Sequence, residues 1–207
     1  LVRTIRIDPA YDTVLSFSAG YGKGISVPSS SKHLSYCFTP LRYAWEPDLV
    51  PDVIRSRPIL RALAAPALLY LRHWDARAGQ LPHRMITLSH FIADKIRVAY
   101  GRDAAVVYPP VDRETFFFDP RISKGSYFVA AGRLMQYKRF DLVIDAFNIL
   151  KLPLVIVGTG PEEMRLKARV VSPRISFTGH ITDDELRRLY AGARAFIFPH
   201  VEDFGLV

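Results

Sequence analysis

Through the second half of the chain, short β-branched runs alternate with longer stretches in which apolar residues recur every three or four positions. Those are the two periods expected of strands and amphipathic helices. Tyr127–Ala131, Leu154–Val157, Ile175–Thr178 and Ala195–Pro199 read as strands, and Lys138–Leu150, Pro161–Arg169 and Asp183–Gly192 as helices. Because these strands are apolar almost throughout, both of their faces want cover, as in a parallel sheet with crossover helices. Helix punctuation agrees. Thr182 stands before Asp183, Asp184 and Glu185, an N-cap followed by acids where the positive end of a helix dipole favours them. Pro161 suits a first helical turn and is followed by Glu162 and Glu163.

The first half is less regular. Its pattern predicts strands over Thr13–Phe17, Leu34–Phe38, Met85–Ser89 and Ala105–Tyr108, and helices over Ile59–Ala78 and Phe91–Tyr100. Gly20-Tyr-Gly-Lys-Gly24 and Ser29-Ser-Ser31 mark an exposed loop. Pro109-Pro110 followed by Val111-Asp112 is a stiff break, since each proline fixes its own φ and restricts the residue before it. The predicted organisation is therefore an α/β domain over 1–112, a connector over 113–125 and a second α/β domain over 126–207.

Composition narrows the class. With 207 residues, 49% hydrophobic and 23% charged, the chain can bury a substantial core and is not a disordered polymer. A lone Cys37 excludes a disulfide-stapled scaffold and favours a reducing compartment, hence a cytoplasmic location. The run Ala62–Leu71 is broken by Pro66, flanked by Arg61 and Arg72, and far shorter than the ~20 residues of a bilayer span. The chain starts at Leu1 without a charged-then-apolar leader and stops at Val207, so we read it as a fragment, with both domains incomplete at the chain ends.

The candidate chemistry sits after predicted strands, where open α/β sheets bind ligands. Gly132-Arg133-Leu-Met-Gln-Tyr-Lys138 lies between a strand and a helix. An Arg fork and a mobile Lys charge suit a diphosphate, and Gly132 permits close backbone approach; two solvated surface cations around a tight turn are the plain alternative. The amides of Gly158-Thr159-Gly160 can face an anion at a helix start, although such a turn is also just an economical connection. In Glu202-Asp203-Phe204-Gly205 a carboxylate can accept sugar hydroxyls, and the amides of Phe204, Gly205 and Leu206 can receive a phosphate; an acidic surface loop is the alternative.

Taken together, Gly132-Arg133-Leu134, Tyr137-Lys138-Arg139-Phe140-Asp141, Val157-Gly158-Thr159-Gly160-Pro161, Phe177-Thr178-Gly179 and Glu202-Asp203-Phe204-Gly205 resemble the retaining glycosyltransferases of family 4. Upstream, the run from Tyr36-Cys37-Phe38-Thr39-Pro40 to Trp45, Tyr100-Gly101-Arg102, and Val107-Tyr108-Pro109-Pro110-Val111-Asp112 are similar to that family's amino-terminal domain and linker. The resemblance implies the GT-B architecture of two Rossmann-like domains with parallel sheets. It also implies that Arg133 and Lys138 hold the donor diphosphate and that Glu202 contacts the donor sugar. Gly132, Gly158, Gly160, Gly179, His180, Asp203, Phe204, Gly205 and Leu206 would complete the donor site. A second family Glu, eight residues beyond the first, and the glycine-rich loop of the first amino-terminal unit have no counterpart, which fits a fragment. At Phe38 many relatives carry His facing the sugar; for His33 nearby, a structural role ranks above a catalytic one.

The activity so implied moves a hexose, mannose from GDP-mannose being the first candidate, from a nucleotide-sugar to a glycan or lipid-linked acceptor. The same resemblance implies transfer with retention. No D-x-D or metal-ligand spacing is present, so Arg133 and Lys138 would take a cation's part, with no cofactor beyond the nucleotide-sugar itself. A non-catalytic nucleotide-sugar-binding module or inactive fragment is the alternative, and the absent G-x-G-x-x-G after Ala131 argues against a nicotinamide enzyme. The +8 charge is dispersed and accompanied by no nucleic-acid motif, so nucleic acid is not an expected partner. Arg55-Ser-Arg57-Pro-Ile-Leu-Arg61 leading into Ala62–Leu71 would suit peripheral contact with an anionic cytoplasmic membrane face, but an ordinary helix packed on its domain core is the favoured reading.

Overall fold

A computed structural model describes residues 5–46, 50, 54 and 56–205. The chain divides into two compact units, residues 1–109 and 110–207. In the first, strands β1 (Thr13–Ser18), β2 (Lys32–Cys37), β3 (Arg84–Thr87) and β4 (Ala105–Val106) lie side by side in that order, every pair parallel. The helices are Arg42–Trp45, Pro58–Ala78 and His90–Tyr100. Strand β3 stops at Thr87 because the chain turns to make Ser89 the N-cap of the next helix, its Oγ accepting from Ile92 N at 3.2 Å.

Two expectations for this unit are corrected. The Gly20–Gly24 loop is not simply exposed: Lys23 and Gly24 are buried. Lys23 Nζ lies 2.7 Å from Asp75 Oδ1, both side chains fully buried, and donates to Gly20 O at 2.6 Å. Asp75 Oδ2 accepts from Leu41 N (3.1 Å), Trp45 Nε1 (2.8 Å) and Tyr100 OH (2.8 Å), so the buried carboxylate is compensated by three further residues. Burial, then the neighbouring Cys37 and Asp75, push the Tyr100 phenol far above its ordinary range. Nor does the long helix pack on a core along its length. Its buried residues are Asp75 and Ala78, near its carboxyl end. Towards the other end Ile59 (76% exposed), Leu63 (72%), Leu69 and Tyr70 stand in solvent. No helix among the described residues is long and apolar enough to cross a membrane.

The second unit holds β5 (Phe128–Ala131), β6 (Leu154–Val157), β7 (Ile175–Gly179) and β8 (Ala195–Phe196) in the order β7-β6-β5-β8, again all parallel. Alternation along the strands sends Ala130, Leu154 and Ile156 to one core, joined by Leu134 of the following loop, with Phe140, Ile144 and Phe147 of the helix Phe140–Leu150. Val129, Ala131 and Val157 go to the other, packed by Leu186, Leu189 and Tyr190 of the helix Asp183–Gly192. Both faces are thus covered, which is why these strands read as unbroken apolar runs.

Element ends differ from the sequence pattern for local reasons. Gln136–Lys138 is a separate 3-10 turn, and Arg139, at φ 54°, breaks the chain before the helix begins at Phe140. Pro161 lies in the turn before a helix limited to Glu163–Ala168. Strand β8 ends its pairing early, with Ile197 N still donating to Val129 O at 2.8 Å and Pro199 lacking an N–H to continue. Thr182 caps the last helix with a reciprocal capping box to Glu185. Ahead of β5 the chain is tied to that same helix. Gly125 N donates to Gly192 O at 2.6 Å, Arg187 lies 4.4 Å over the Phe117 ring, and the buried Asp119 accepts from Arg121 and faces Arg187.

Candidate functional site

The residues of interest in the second unit follow its strands, at their carboxyl ends. The loops after β5 and β6 are zipped together by Gly132 N to Val157 O (3.0 Å), Leu134 N to Thr159 O (2.9 Å) and Glu162 N to Leu134 O (3.1 Å). Their glycines permit this approach. A Cβ on Gly158 would stand 2.1 Å from Gly132 O, and one on Gly160 2.3 Å from Leu134 O. The Gly158 amide, expected to face an anion, instead donates to Gly179 O at 2.8 Å, so that glycine serves backbone packing here. Gly179 has φ 70° and leads into an exposed His180.

Arg133 and Lys138 share the loop between β5 and the helix Phe140–Leu150 but differ in setting. The Arg133 side chain is exposed, and no ion pair engages it among the described residues. Lys138 is 9% exposed at its side chain, and its Nζ donates to Glu202 Oε1. The same ammonium lies 2.9 Å from His200 Nε2, which lies 2.8 Å from Glu202 Oε1. A cation, a carboxylate and an imidazole therefore meet around one point, with the His200 ring 4.2 Å from that of Phe198. Burial, then the Lys138 charge, hold the His200 imidazole below its ordinary value, so the ring is neutral at neutral pH. Asp203 and Phe204 follow Glu202 closely, Gly205 turns the chain at φ 83°, and Leu206 and Arg55 lie outside the described residues.

His200 is the residue that motif reading missed. The signal was present as a period of two, Phe198, His200 and Glu202 alternating with Pro199 and Val201, which in an extended chain places all three on one side.

In the first unit, His33 is buried on β2, its Nε2 2.9 Å from Ser16 Oγ and its own backbone N–H donating to His83 Nδ1 at 2.9 Å. Burial, then His83, lower its pKa. Ser16 thus engages the ring and His83 the backbone amide, both contacts within the first unit. Phe38 packs edge-on to Tyr36 at 5.3 Å.

Residues 112–207 match the family described as "Glycosyl transferases group 1". Among characterised relatives, the chain is 26% identical over 164 residues to D-rhamnosyltransferase WbpZ of Pseudomonas aeruginosa, covering 75% of this chain and 43% of the relative. It is 32% identical over 87 residues to O-antigen chain mannosyltransferase C of Escherichia coli, covering 39% of this chain and 24% of that protein. It thus spans less than half the length of either relative. Among solved structures, the sucrose-phosphate synthase of Thermosynechococcus elongatus superposes with a TM-score of 0.62 at 15% identity, over 85% of this chain and 46% of that one. Residues 112–207 are therefore similar to group 1 glycosyltransferase domains, and the chain has an α/β fold of two parallel sheets like that of the sucrose-phosphate synthase.

Proposed function

We propose that this chain is the donor-handling part of a retaining, metal-independent glycosyltransferase of family 4. It would move a hexose from a nucleotide-sugar to a glycan or lipid-linked acceptor. The observation that carries the reading is the loop after β5, which presents one exposed guanidinium, Arg133, and one buried ammonium, Lys138, beside the carboxylate of Glu202. Transfer breaks the anomeric C–O bond and leaves its electron pair on the departing diphosphate. Cations seated on the diphosphate stabilise that charge, a contribution of several kcal/mol in comparable sites, about 3 kcal/mol for a single donor. Arg133 would grip two phosphate oxygens, Lys138 a third, and Glu202 would accept a hydroxyl of the sugar. The names of the two relatives favour a deoxyhexose or mannose, and GDP-mannose is the donor we assign first.

The test is transfer of labelled mannose from GDP-mannose by the parent protein, with and without chelator, and with NMR of the product's anomeric centre. Retained α-configuration and unchanged rate under chelation are expected. Loss of transfer on chelation, or inversion, contradicts the mechanism. Donor binding without any transfer would instead favour a binding module.

The exposed start of the helix Pro58–Ala78 supports a peripheral lipid contact as part of this role. Ile59, Leu63, Leu69 and Tyr70 are solvent-facing, Arg57, Arg61 and Arg72 accompany them, and no acidic residue occurs between Asp52 and Asp75. An exposed apolar arc on a helix that carries cations and no acids over this stretch fits an anionic lipid surface. Flotation with phosphatidylglycerol vesicles, but not with phosphatidylcholine vesicles, is expected, and Leu63→Glu together with Leu69→Glu should abolish it. Failure to float with anionic vesicles, or equal flotation with both, contradicts the assignment.

A further inference from the structure

The arrangement of Lys138, His200 and Glu202 constrains where protons sit. An ammonium has donors only, so we assign His200 the tautomer with a lone pair on Nε2, in which the 2.9 Å contact is a hydrogen bond donated by Lys138 Nζ. The proton of the neutral ring is then on Nδ1, which is buried and has no hydrogen-bond partner among the described residues. The same Nε2 lone pair lies 2.8 Å from Glu202 Oε1, another acceptor. Two acceptors at that distance repel, and what holds them together is the Lys138 ammonium between them.

We propose that His200 is a positioning residue for Glu202, exchanging roles with Lys138 when a diphosphate arrives. On the proposed function, Lys138 turns its ammonium to phosphate oxygens, and the Nε2 and Oε1 atoms are left lone pair against lone pair. His200 relieves this by taking one proton from solvent at Nε2, and the resulting imidazolium donates to Glu202. Charge is conserved at the carboxylate, one cation replacing another, and Glu202 stays oriented for a sugar hydroxyl instead of swinging away. The neutral ring of the ligand-free state fits this, since burial and the Lys138 charge both oppose protonation until the ammonium moves. The charged groups facing His200 are Lys138 from the Gln136–Lys138 turn and Glu202 from its own loop; its ring neighbour is Phe198. His200 side-chain exposure is 3%, so the exchange takes place in a shielded setting where each charge counts.

Ring-nitrogen NMR of the 15N-histidine-labelled chain, titrated with inorganic pyrophosphate near neutral pH, reads this directly. The His200 signals are assigned by their loss in His200→Gln. Without pyrophosphate, Nε2 should be unprotonated and Nδ1 protonated; at saturation, both should carry a proton. A structural ring would keep its protonation state. The proposal rests on the diphosphate role of Lys138, and the two fail differently. If pyrophosphate does not bind, or binds Lys138→Ala as well as the parent, the diphosphate role is wrong and this exchange falls with it. If Lys138→Ala loses about tenfold or more in affinity while the parent's Nε2 stays unprotonated at saturation, only the His200 exchange is overturned.

Discussion

Gly158 and Gly132 meet backbone to backbone, so closely that a Cβ on Gly158 would stand 2.1 Å from the Gly132 carbonyl oxygen. Gly158 also holds φ 123°, which side chains rarely adopt. Gly158→Ala meets both penalties and should lower stability by about 2–5 kcal/mol, the sum of an overpacking and a backbone-strain cost. Gly101→Ala is the control, because Gly101 has φ 65° with open space around its Cβ position, and should cost about 1 kcal/mol. Urea unfolding midpoints check the contrast, and equal losses would show that the loop contact does not constrain the fold.

The Lys23 and Asp75 charges are buried together, so the pair is expected to be asymmetric in its response to mutation. Lys23→Met leaves the buried Asp75 carboxyl without its cation inside the first unit and should destabilise it by about 3–5 kcal/mol. Lys23→Met combined with Asp75→Leu should cost clearly less than the two single changes added, because the stranded charge is gone, though Trp45 and Tyr100 lose their shared acceptor. Additive losses in thermal or urea unfolding would mean the two groups act independently.

Acid should weaken the first unit through His33. Its folded pKa lies below the ordinary value of 6.5, so the unfolded chain binds the extra proton first. The stabilisation is fully present above about pH 6.5 and is lost as pH falls through the folded pKa. Unfolding free energies measured over pH 7.5 to about 5 should therefore decline, and His33→Asn should flatten the decline. Some slope should survive from His200, which is shifted in the same direction. An unchanged slope in the variant would remove His33 as its source.

What the sequence disclosed follows from how local each cause is. Leu154–Val157 was legible because a strand covered on both faces must be apolar at every position, and Thr182 because its partner Glu185 lies within one helical turn. Arg139 was not, since nothing in an Arg announces φ 54°, and the helix start was placed too early for that reason. The burial of Lys23 depends on Asp75, far along the chain, while its glycine neighbours signalled only a turn. At the site, Arg133, Lys138 and Glu202 were named from motif and spacing. Sequence spacing did not reveal that Lys138 engages Glu202 with His200 beside both, because that contact joins loops from opposite ends of the second unit. The Gly158 amide departs from the sequence expectation for the converse reason, the carbonyl of Gly179 at the end of β7 having reached it first.

On the proposed function Arg133 and Lys138 together grip the diphosphate of a nucleotide-sugar, and isothermal titration of GDP-mannose into the parent protein, Arg133→Ala and Lys138→Ala measures that grip. Each charge-assisted contact removed should weaken binding by about tenfold or more, with the fold intact by circular dichroism. Affinity unchanged in both variants would contradict the account.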